Sequence, residues 1–348
     1  MQTSAPHRRL SAICTVAGIT ILSLFFAWQA YCWWLDRASA NTPLPRYFGN
    51  SAANLAAASA GSKPGQGTRE IRFGVVADSR GYGAFRTLMD ALKDAKPDFV
   101  ILNGDIARTS KPGDHRFLRW QMATEMATDF PVLYLIGNHD IGPRYTLKEW
   151  EAAYGPSQCF FIRDGNAFVM THIAEEDDPA AVDVLDSNLR RVAPSARRIF
   201  VFNHIPPPIG YDWEARTLPQ QKRFLEVLER YKVDYLITGD YHGYARVQRG
   251  ALNVVVTGGG GADLKGGAFG FHHAMLFTVR DGGVQERISA APARLALTDV
   301  LESGALAEFI PFAGAHFSIV VIIDTLSLAL LVLLIVKLVR TRSPRAAH

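Results

Sequence analysis

Two long uncharged stretches, one near each end of the chain, restrict its topology more than any other feature of the sequence. The first extends from Leu10 to Leu35, 26 residues without an acidic or basic side chain, and the second extends from Phe317 to Val336, interrupted only by Asp324. About 20 apolar residues in a helix cross a bilayer. The far end of the first stretch is rich in the aromatic residues typical of a membrane interface, namely Trp28, Tyr31, Trp33 and Trp34. We therefore expect a transmembrane helix at each end.

The basic residues predict how these helices are oriented. Lys or Arg is absent from residues 295–336, whereas basic residues flank both stretches at Arg8, Arg9, Lys337, Arg340, Arg342 and Arg345. Because positively charged flanks stay in the cytoplasm, both termini should be cytoplasmic, and the part between should lie outside, anchored to the inner or plasma membrane. A cleaved signal peptide is the alternative for the first stretch, since Ala38-Ser39-Ala40 resembles a cleavage site. Its apolar core is longer than the roughly 7–15 residues of such signals.

Cysteine usage argues against a small disulfide-stabilised secreted module, and the net charge gives little support for a nucleic-acid-binding protein. Cys14 and Cys32 lie in the first stretch, so Cys159 has no partner for an internal disulfide in the external part. That part must be held by its own hydrophobic core. The net charge of +4 owes much to the cytoplasmic ends, so no nucleic-acid partner is expected.

Composition divides the chain into six predicted segments. Residues 38–69 are rich in small residues without amphipathic spacing, which is typical of a flexible linker. The prediction is a tail and transmembrane helix over 1–37, the linker over 38–69, a folded domain over 70–288, an amphipathic connector over 289–316, a transmembrane helix over 317–339 and a cytoplasmic tail over 340–348.

Within the folded domain, short apolar runs alternate with amphipathic helical patterns. The first three runs are Ile71–Ala77, Phe99–Leu102 and Val132–Ile136, and the later part adds a hairpin around Asp164-Gly165-Asn166. Runs of β-branched and aromatic residues separated by helical spacing predict an α/β domain with buried strands.

Five of the apolar runs end in the same way, in "VVADSRG", "ILNGDIA", "YLIGNHD", "FVFNHIPP" and "LITGDYHGY". In α/β sheets the carboxyl ends of the strands form the ligand crevice. The side chains expected to converge there are Asp78, Asp105, Asn138, His204, Asp240 and His242. One such residue alone is commonly a helix cap or an Asx turn, but five exits together favour a site. Oxygen and nitrogen donors without a thiolate suit Mn, Fe or Zn.

In order and spacing these motifs resemble those of the calcineurin-like metallophosphoesterases, which share elements with purple acid phosphatases. The family signature is Asp-x-His, Gly-Asp, Gly-Asn-His-Asp/Glu, a His after a strand and Gly-His-x-His, and residues 70–280 follow this order. The resemblance implies a four-layer fold of two packed mixed β-sheets flanked by helices. It also implies a centre of two divalent or trivalent ions. The implied ligands are Asp78 and His242 for the first ion, Asp105 as the bridge, and Asn138, His204 and Asp240 for the second.

Two positions depart from the family pattern. Arg80 replaces the His of Asp-x-His, and Asp240 replaces the first His of Gly-His-x-His. Purple acid phosphatases also lack the former His, but the Tyr that substitutes for it corresponds to Arg108 here. Because a guanidinium has no lone pair to offer a metal, the first position lacks a ligand, whereas Asp240 remains a competent oxygen ligand. Arg80 is expected either to orient a substrate phosphate or to be a surface-loop arginine.

The resemblance further implies how the site acts. His139 is expected to protonate the leaving oxygen or to orient the phosphate, with Asp140 holding its ring, while the ions activate a water molecule. The predicted function is phosphoester hydrolysis outside the cytoplasm, on a lipid-linked phosphate or on a soluble monoester or diester. The alternatives are a catalytically weakened phosphate- or ligand-binding protein on the same fold and a subunit of an envelope complex.

Four further features carry secondary expectations. His115 should either line the substrate site or be solvated, and His272-His273 should lie in the core or at the site rim. Gly258–Gly261 should form a turn near the metal rim. Asp324 should either face Gln29 or a threonine of the first span, because charged groups within a membrane pair between helices, or lie near the membrane interface.

Overall fold

A computed structural model describes residues 5–49, 51–61, 70–81, 83–126, 128–173, 178–208, 218–265, 269–292 and 296–342. The chain forms two compact units. One comprises the described residues within Met1–Asn41 and Glu302–His348, and the other those within Thr42–Leu301. Residues 62–69 of the predicted linker and 343–348 of the predicted tail lie outside the described residues.

The larger unit contains two mixed β-sheets. Its strands are β1 (Ile71–Val76), β2 (Phe99–Asn103), β3 (Val132–Leu135), β4 (Cys159–Arg163), β5 (Asn166–Met170), β6 (Arg198–Phe202), β7 (Tyr235–Thr238), β8 (Tyr244–Arg249), β9 (Leu252–Thr257), β10 (His273–Arg280) and β11 (Gly283–Ala290). The strand order is β11-β10-β1-β2-β3 in the first sheet and β4-β5-β6-β7-β9-β8 in the second. Strands β1, β2 and β3 run parallel, as do β5, β6, β7 and β9. Each sheet therefore brings the carboxyl ends of at least three neighbouring strands to one edge.

Helices cover the outer faces of both sheets. The helices of the chain are α1 (Ala5–Asn41), α2 (Ser51–Ser59), α3 (Gly83–Ala95), α4 (Pro112–Thr124), α5 (Leu147–Tyr154), α6 (Pro179–Val192), α7 (Gln221–Arg230), α8 (Leu297–Gly304), α9 (Ile310–Ala315) and α10 (Phe317–Arg342). Side chains of α3, α4 and α5 form one apolar cluster with the first sheet, and those of α6 and α7 form another with the second. The layers are thus helix, sheet, sheet and helix.

Phenylalanine dominates the layer between the two sheets. Phe73 of β1 lies opposite Phe99 of β2 and Phe277 of β10, and its ring stacks on theirs at centroid distances of 5.5 and 4.8 Å. Phe168 and Phe200 of the second sheet meet Phe73 edge-on, both at 5.3 Å. Burying each ring contributes roughly 1.5–3 kcal/mol. Because alternate strand residues face the helices instead, both sheet faces are buried, and the predicted α/β fold of two packed mixed sheets flanked by helices is confirmed.

Strands β8 and β11 and helix α6 were not predicted from the sequence. Strands β8 and β11 are the outer strands of their sheets and are largely polar, so they lack the apolar run by which a buried strand is recognised. Helix α6 carries a readable signal, because Asp178 caps it by accepting the backbone N–H of Ala180 and Pro179 begins it.

The structure also differs from the predicted flexible linker between residues 46 and 59. Arg46–Phe48 forms a 3₁₀ turn and Ser51–Ser59 forms α2. Phe48 is fully buried in the core, where its carbonyl oxygen accepts a 3.0 Å hydrogen bond from Tyr134. Asn54 donates to the carbonyl of Val132 at 2.9 Å. Phe48 and Asn54 make single contacts with the core and are surrounded by small residues, so they leave no periodic pattern in the sequence. The prediction of a linker therefore rested on composition alone.

In the smaller unit, α1 and α10 are long and apolar enough to cross a membrane, over Leu10–Asn41 and Phe317–Thr341. Gln29 donates to Asp324 at 2.9 Å, which confirms the predicted pairing between these helices. The two apolar helices suggest membrane anchoring. The predicted connector over 289–316 starts as the end of β11 and continues as α8, a π-helical turn at Ala305–Phe309 and α9.

Candidate metal centre

The structure brings the predicted strand-exit residues together at one edge of both sheets. Asp78, Asp105 and Asn138 follow β1, β2 and β3, while His204 follows β6 and His242 follows β7. One ligand atom from each of Asp78, Asp105 and His242 lies within 4.8 Å of the others, which is close enough to hold a cation. The five-exit pattern therefore corresponds to a single cluster.

Asp105 and Asp78 lie at the centre of this cluster and are buried. His204 Nε2 lies 3.3 Å from Asp105 Oδ1 and 3.9 Å from Asp78 Oδ1, and His242 Nε2 lies 3.5 Å from Asp78 Oδ1. Asp240 reaches the cluster through its backbone, donating its N–H to Asp78 Oδ2 at 3.0 Å. Imidazoles from one sheet thus face carboxylates from the other.

Backbone carbonyls fix the orientation of both imidazoles. His204 Nδ1 lies 2.9 Å from the carbonyl oxygen of Asn103, and His242 Nδ1 lies 2.5 Å from that of Asp263. A carbonyl only accepts, so in each ring Nδ1 carries the proton when the ring is neutral and Nε2 presents a lone pair. This is how metal-ligating histidines are held.

Several buried atoms of the cluster have no hydrogen-bond partner among the described residues. They are Asp78 Oδ1, Asn138 Oδ1 and His204 Nε2. Buried polar atoms in native proteins are almost always paired, because leaving one unpaired costs roughly 1–3 kcal/mol. Asp78 Oδ1 and His204 Nε2 lie 3.9 Å apart in this cluster, and a bound cation that displaced the His204 proton would satisfy both atoms.

The backbone at these positions is conformationally restricted. Asp78, Arg80, Asp105 and Asp240 have φ angles of 57°, 47°, 48° and 62°, in the left-handed region that non-glycine residues seldom adopt. Such strained positions cluster at functional sites. Beside them, Gly104 has φ of 87°, and a Cβ there would lie 2.4 Å from His204 Nδ1, so the sheets approach closely only because residue 104 lacks a side chain.

The carboxylates and His204 influence each other's ionisation. Burial lowers the pKa of His204, but the adjacent Asp105 and Asp78 carboxylates outweigh it and raise that pKa to about 10. Burial and the neighbouring Asp105 carboxylate raise the pKa of Asp78 despite His204. For Asp105, burial raises the pKa, yet His204 and His139 together hold it well below the usual range. A cation entering the site would displace the His204 proton.

The three predicted catalytic residues occupy different surroundings. Arg80 Nη2 lies 3.3 Å from His242 Nε2 and 3.6 Å from Asp105 Oδ2, so it belongs to the cluster and is not a surface-loop arginine. The His139 side chain is 36% exposed, with Nε2 3.8 Å from Asp105 Oδ2. The two oxygens of Asp140 accept the backbone N–H groups of Ala107 and Gly137 at 2.9 and 2.8 Å. Asp140 joins two loops in addition to any influence on the His139 ring.

A sequence model of the calcineurin-like phosphoesterases matches residues 71–244, which contain every member of this cluster. The chain belongs to the calcineurin-like phosphoesterases. It is accordingly a metallophosphoesterase, a phosphoric ester hydrolase whose substrate class is the phosphoesters, and the Asp and His cluster is its possible metal-binding group. No curated protein sequence matches the chain.

Solved structures with low sequence identity are similar to parts of this chain. A purple acid phosphatase, PPD1, from yellow lupin (Lupinus luteus) has 15% identity and a TM-score of 0.51, over 70% of this chain and 56% of that one. GAP50, the anchor in the inner membrane complex of Plasmodium, has 14% identity and a TM-score of 0.49, over 68% and 95% of the two chains. A dimetal phosphatase from Danio rerio has 13% identity and a TM-score of 0.48, over 64% and 99%. At such identities the likeness concerns the fold alone.

Two residues that support the metallophosphoesterase site have roles that the sequence did not reveal. One acts through its backbone carbonyl, and the other is buried beneath the site. Asn103 orients His204 through its carbonyl, and its side chain donates to the carbonyl of Ile237 at 3.3 Å, joining the two sheets. His115 is buried beneath the site, with Nε2 2.8 Å from the carbonyl of Asp140 and Nδ1 3.1 Å from the Tyr154 hydroxyl. His115 therefore neither lines the substrate site nor is solvated. Main-chain contacts of this kind leave no trace in residue type.

The remaining expectations near the site agree with the structure. Gly258 approaches the centre, since a Cβ there would lie 2.8 Å from Asp78 Oδ2, as expected for a turn at the metal rim. His273 is fully buried with Nε2 3.0 Å from the Thr257 hydroxyl, and His272 is buried near the carbonyl of Gly259. Both are core or rim residues, as predicted.

Proposed function

We propose that this metallophosphoesterase hydrolyses phosphoesters outside the cytoplasm at a cation centre whose ligands are Asp78, Asp105, Asn138, His204, Asp240 and His242. The observation that carries the proposal is the convergence of Asp78, Asp105 and His242, whose ligand atoms lie within 4.8 Å of one another, with His204 Nε2 3.3 Å from Asp105 Oδ1. When bound, Mn, Fe or Zn supplies a Lewis acid for phosphoryl oxygens and lowers the pKa of water toward neutrality. No protein nucleophile is then required.

The side chains of the chain hold and direct this chemistry. Asp105 is the candidate bridge by its position in the family motif, and a ligand atom of Asp105 lies within 4.8 Å of those of Asp78 and His242. Because Asn103 and Asp263 fix the Nδ1 protons, His204 and His242 direct their Nε2 atoms inward without reorganisation. The folded protein already holds these ligands in the orientation that a metal requires, so no reorganisation is needed when the metal binds. This is electrostatic preorganisation.

The candidate catalytic residues act on the substrate itself. His139 is partly exposed at the rim and donates its backbone N–H to Asp105 Oδ1 at 2.9 Å, so its ring can meet a phosphate or protonate the leaving oxygen. Arg80 presents guanidinium donors of the kind that bind phosphoryl oxygens. Asp140 acts as a positioning residue, because it ties the loop after Asp105 to the loop before Asn138.

The proposed location, with two spans, cytoplasmic termini and an extracytoplasmic domain, is supported by the apolar helices α1 and α10 and by the basic residues at both ends. A reporter fused after His348 tests it: a green fluorescent protein should fluoresce there, and an alkaline phosphatase should remain inactive. The opposite pattern would contradict the proposed topology. A tethered enzyme reaches lipid-linked phosphates and soluble esters alike, and comparing headgroup release from vesicles with p-nitrophenyl phosphate turnover separates these substrates.

The central experiment compares the full-length wild type with Asp105→Asn in detergent. Wild type loaded with Mn²⁺ or Zn²⁺ should hydrolyse p-nitrophenyl phosphate or its bis-ester, and Asp105→Asn should lose at least about 100-fold in kcat/KM together with metal content. Retained turnover in the variant would refute the assignment. A phosphate-binding protein on this fold is the second candidate, favoured by Arg80 in place of a ligand. Full metal loading of the wild type without turnover of any ester would support it.

A further inference from the structure

Arg80 is held in the cluster by both its backbone and its side chain. It is the residue that replaces the His of Asp-x-His. Its backbone N–H donates to the carbonyl of Asp105 at 3.2 Å, and its φ of 47° lies in the left-handed region. The side chain is only 16% exposed. This arginine is fixed on the bridging carboxylate residue and directed into the site.

The Arg80 guanidinium contacts two atoms that the first cation of a two-metal centre would need. Nη2 lies 3.3 Å from His242 Nε2 and 3.6 Å from Asp105 Oδ2. Since Asp263 fixes the proton of His242 on Nδ1, the Nε2 lone pair is an acceptor, and a guanidinium is only a donor. The lone pair that would bind a metal is therefore directed toward Arg80.

The contrast with His204 shows why the two positions differ. His204 Nε2 faces the carboxylate oxygens of Asp105 and Asp78, at 3.3 and 3.9 Å. His242 Nε2 instead faces the guanidinium of Arg80 at 3.3 Å, a group that carries a permanent positive charge and offers no lone pair. A dication bound to His242 would have to lie beside this fixed positive charge, and like charges at such range repel strongly in a buried site.

Resting on the proposed function, we infer that the Arg80 guanidinium takes the place of the first of two cations. Of the proposed ligands, Asp105, Asn138, His204 and Asp240 then bind a single metal ion, with which this enzyme works. Arg80 neutralises the Asp105 carboxylate from the side of His242. Its planar array of N–H donors fits phosphoryl oxygens, so it supplies the charge stabilisation that a first cation would give. Arg108, where purple acid phosphatases have a substitute ligand, is exposed and does not restore the first position.

The test is the number of metal ions per chain in the full-length protein, after removal of metal by chelation and reloading with Mn²⁺. Elemental analysis should give one ion per wild-type chain and two for Arg80→His, which recreates Asp-x-His. Electron paramagnetic resonance should show an isolated Mn²⁺ ion in the wild type and an exchange-coupled pair in Arg80→His. Arg86→His is the matched control: Arg86, on α3, pairs with Glu125 at the end of α4, and its replacement adds the same imidazole without completing the motif. It should stay at one ion.

Arg80→Gln separates the charge from the metal count. It should retain one ion and lose about 100-fold in kcat, because it lacks both the guanidinium and a first cation. Two ions in the wild type, or a coupled Mn²⁺ pair, overturns the inference, and it does so even if Arg80→His fails to fold. One ion per wild-type chain without any turnover leaves the inference intact and refutes the proposed function. Two ions per wild-type chain with turnover refutes the inference and leaves the proposed function intact.

Discussion

Asp140 provides the sharpest quantitative prediction, because its side chain ties together the two loops that carry Asp105 and Asn138. The carboxylate is fully buried, and each oxygen accepts one backbone N–H, from Ala107 at 2.9 Å and from Gly137 at 2.8 Å. Asp140→Asn keeps one acceptor and turns the other into an NH₂ group that faces a donor. One of these two N–H groups therefore loses its partner.

The size of the effect follows from these contacts. A buried backbone N–H that is left unpaired costs about 1–3 kcal/mol. For a domain of this size a change of 1 kcal/mol shifts the melting temperature by about 2–4 °C, so Asp140→Asn should lower Tm by roughly 2–12 °C. Loosening the two loops should also weaken metal binding by about 10- to 100-fold, as loss of the groups that support metal ligands does elsewhere.

Thermal unfolding of the full-length protein in detergent, with and without Zn²⁺, measures both effects. Asp183→Asn is the matched control, because it makes the same chemical change at an exposed aspartate of α6, which pairs with Arg223. It should change stability by less than about 0.5 kcal/mol. If Asp140→Asn melts within about 1 °C of wild type and binds Zn²⁺ equally well, the two hydrogen bonds do not hold the site and the reasoning fails.

Three further perturbations have definite outcomes. Gly104→Ala should abolish phosphoesterase activity, since its Cβ would overlap the His204 ring, whereas Gly282→Ala, with open space around it, should leave kcat unchanged in the same assay. Burial lowers the pKa of His115 to about 4, below the ordinary value of about 6.5. The neutral form therefore stabilises the fold above pH 6.5, and about 3 kcal/mol of the free energy of unfolding is lost as the pH falls to 4. His115→Gln should flatten the dependence of Tm on pH between pH 6.5 and 4. An unchanged slope would contradict this prediction. Asp324→Leu should weaken association of the two spans by about 0.6 kcal/mol, seen as slower cysteine cross-linking between α1 and α10, while Asp324→Asn, which keeps an acceptor for Gln29, should cross-link at the wild-type rate.

Local sequence patterns were sufficient to predict the bounds of strands and helices whose residues are buried at regular intervals. Strands such as Tyr235–Thr238 and helices such as Leu147–Tyr154 have the bounds expected from apolar spacing, because both are packed on a core that selects for that spacing. The outer strand β11 was missed because one face is solvated and its residues are polar. The Phe48 and Asn54 anchors were missed because single contacts have no period.

The sequence by itself determined the apolar ends, the α/β class and the identity of nearly every candidate ligand, since each is written in a short contiguous run. Only the tertiary structure decided what those residues do to one another. The direction of the His204 ring depends on the carbonyl of Asn103, the partners of Asp140 are two backbone N–H groups, and Arg80 lies against His242, 162 residues away. Main-chain atoms are the same in every residue, and long-range proximity depends on strand order, so neither can be read from residue type.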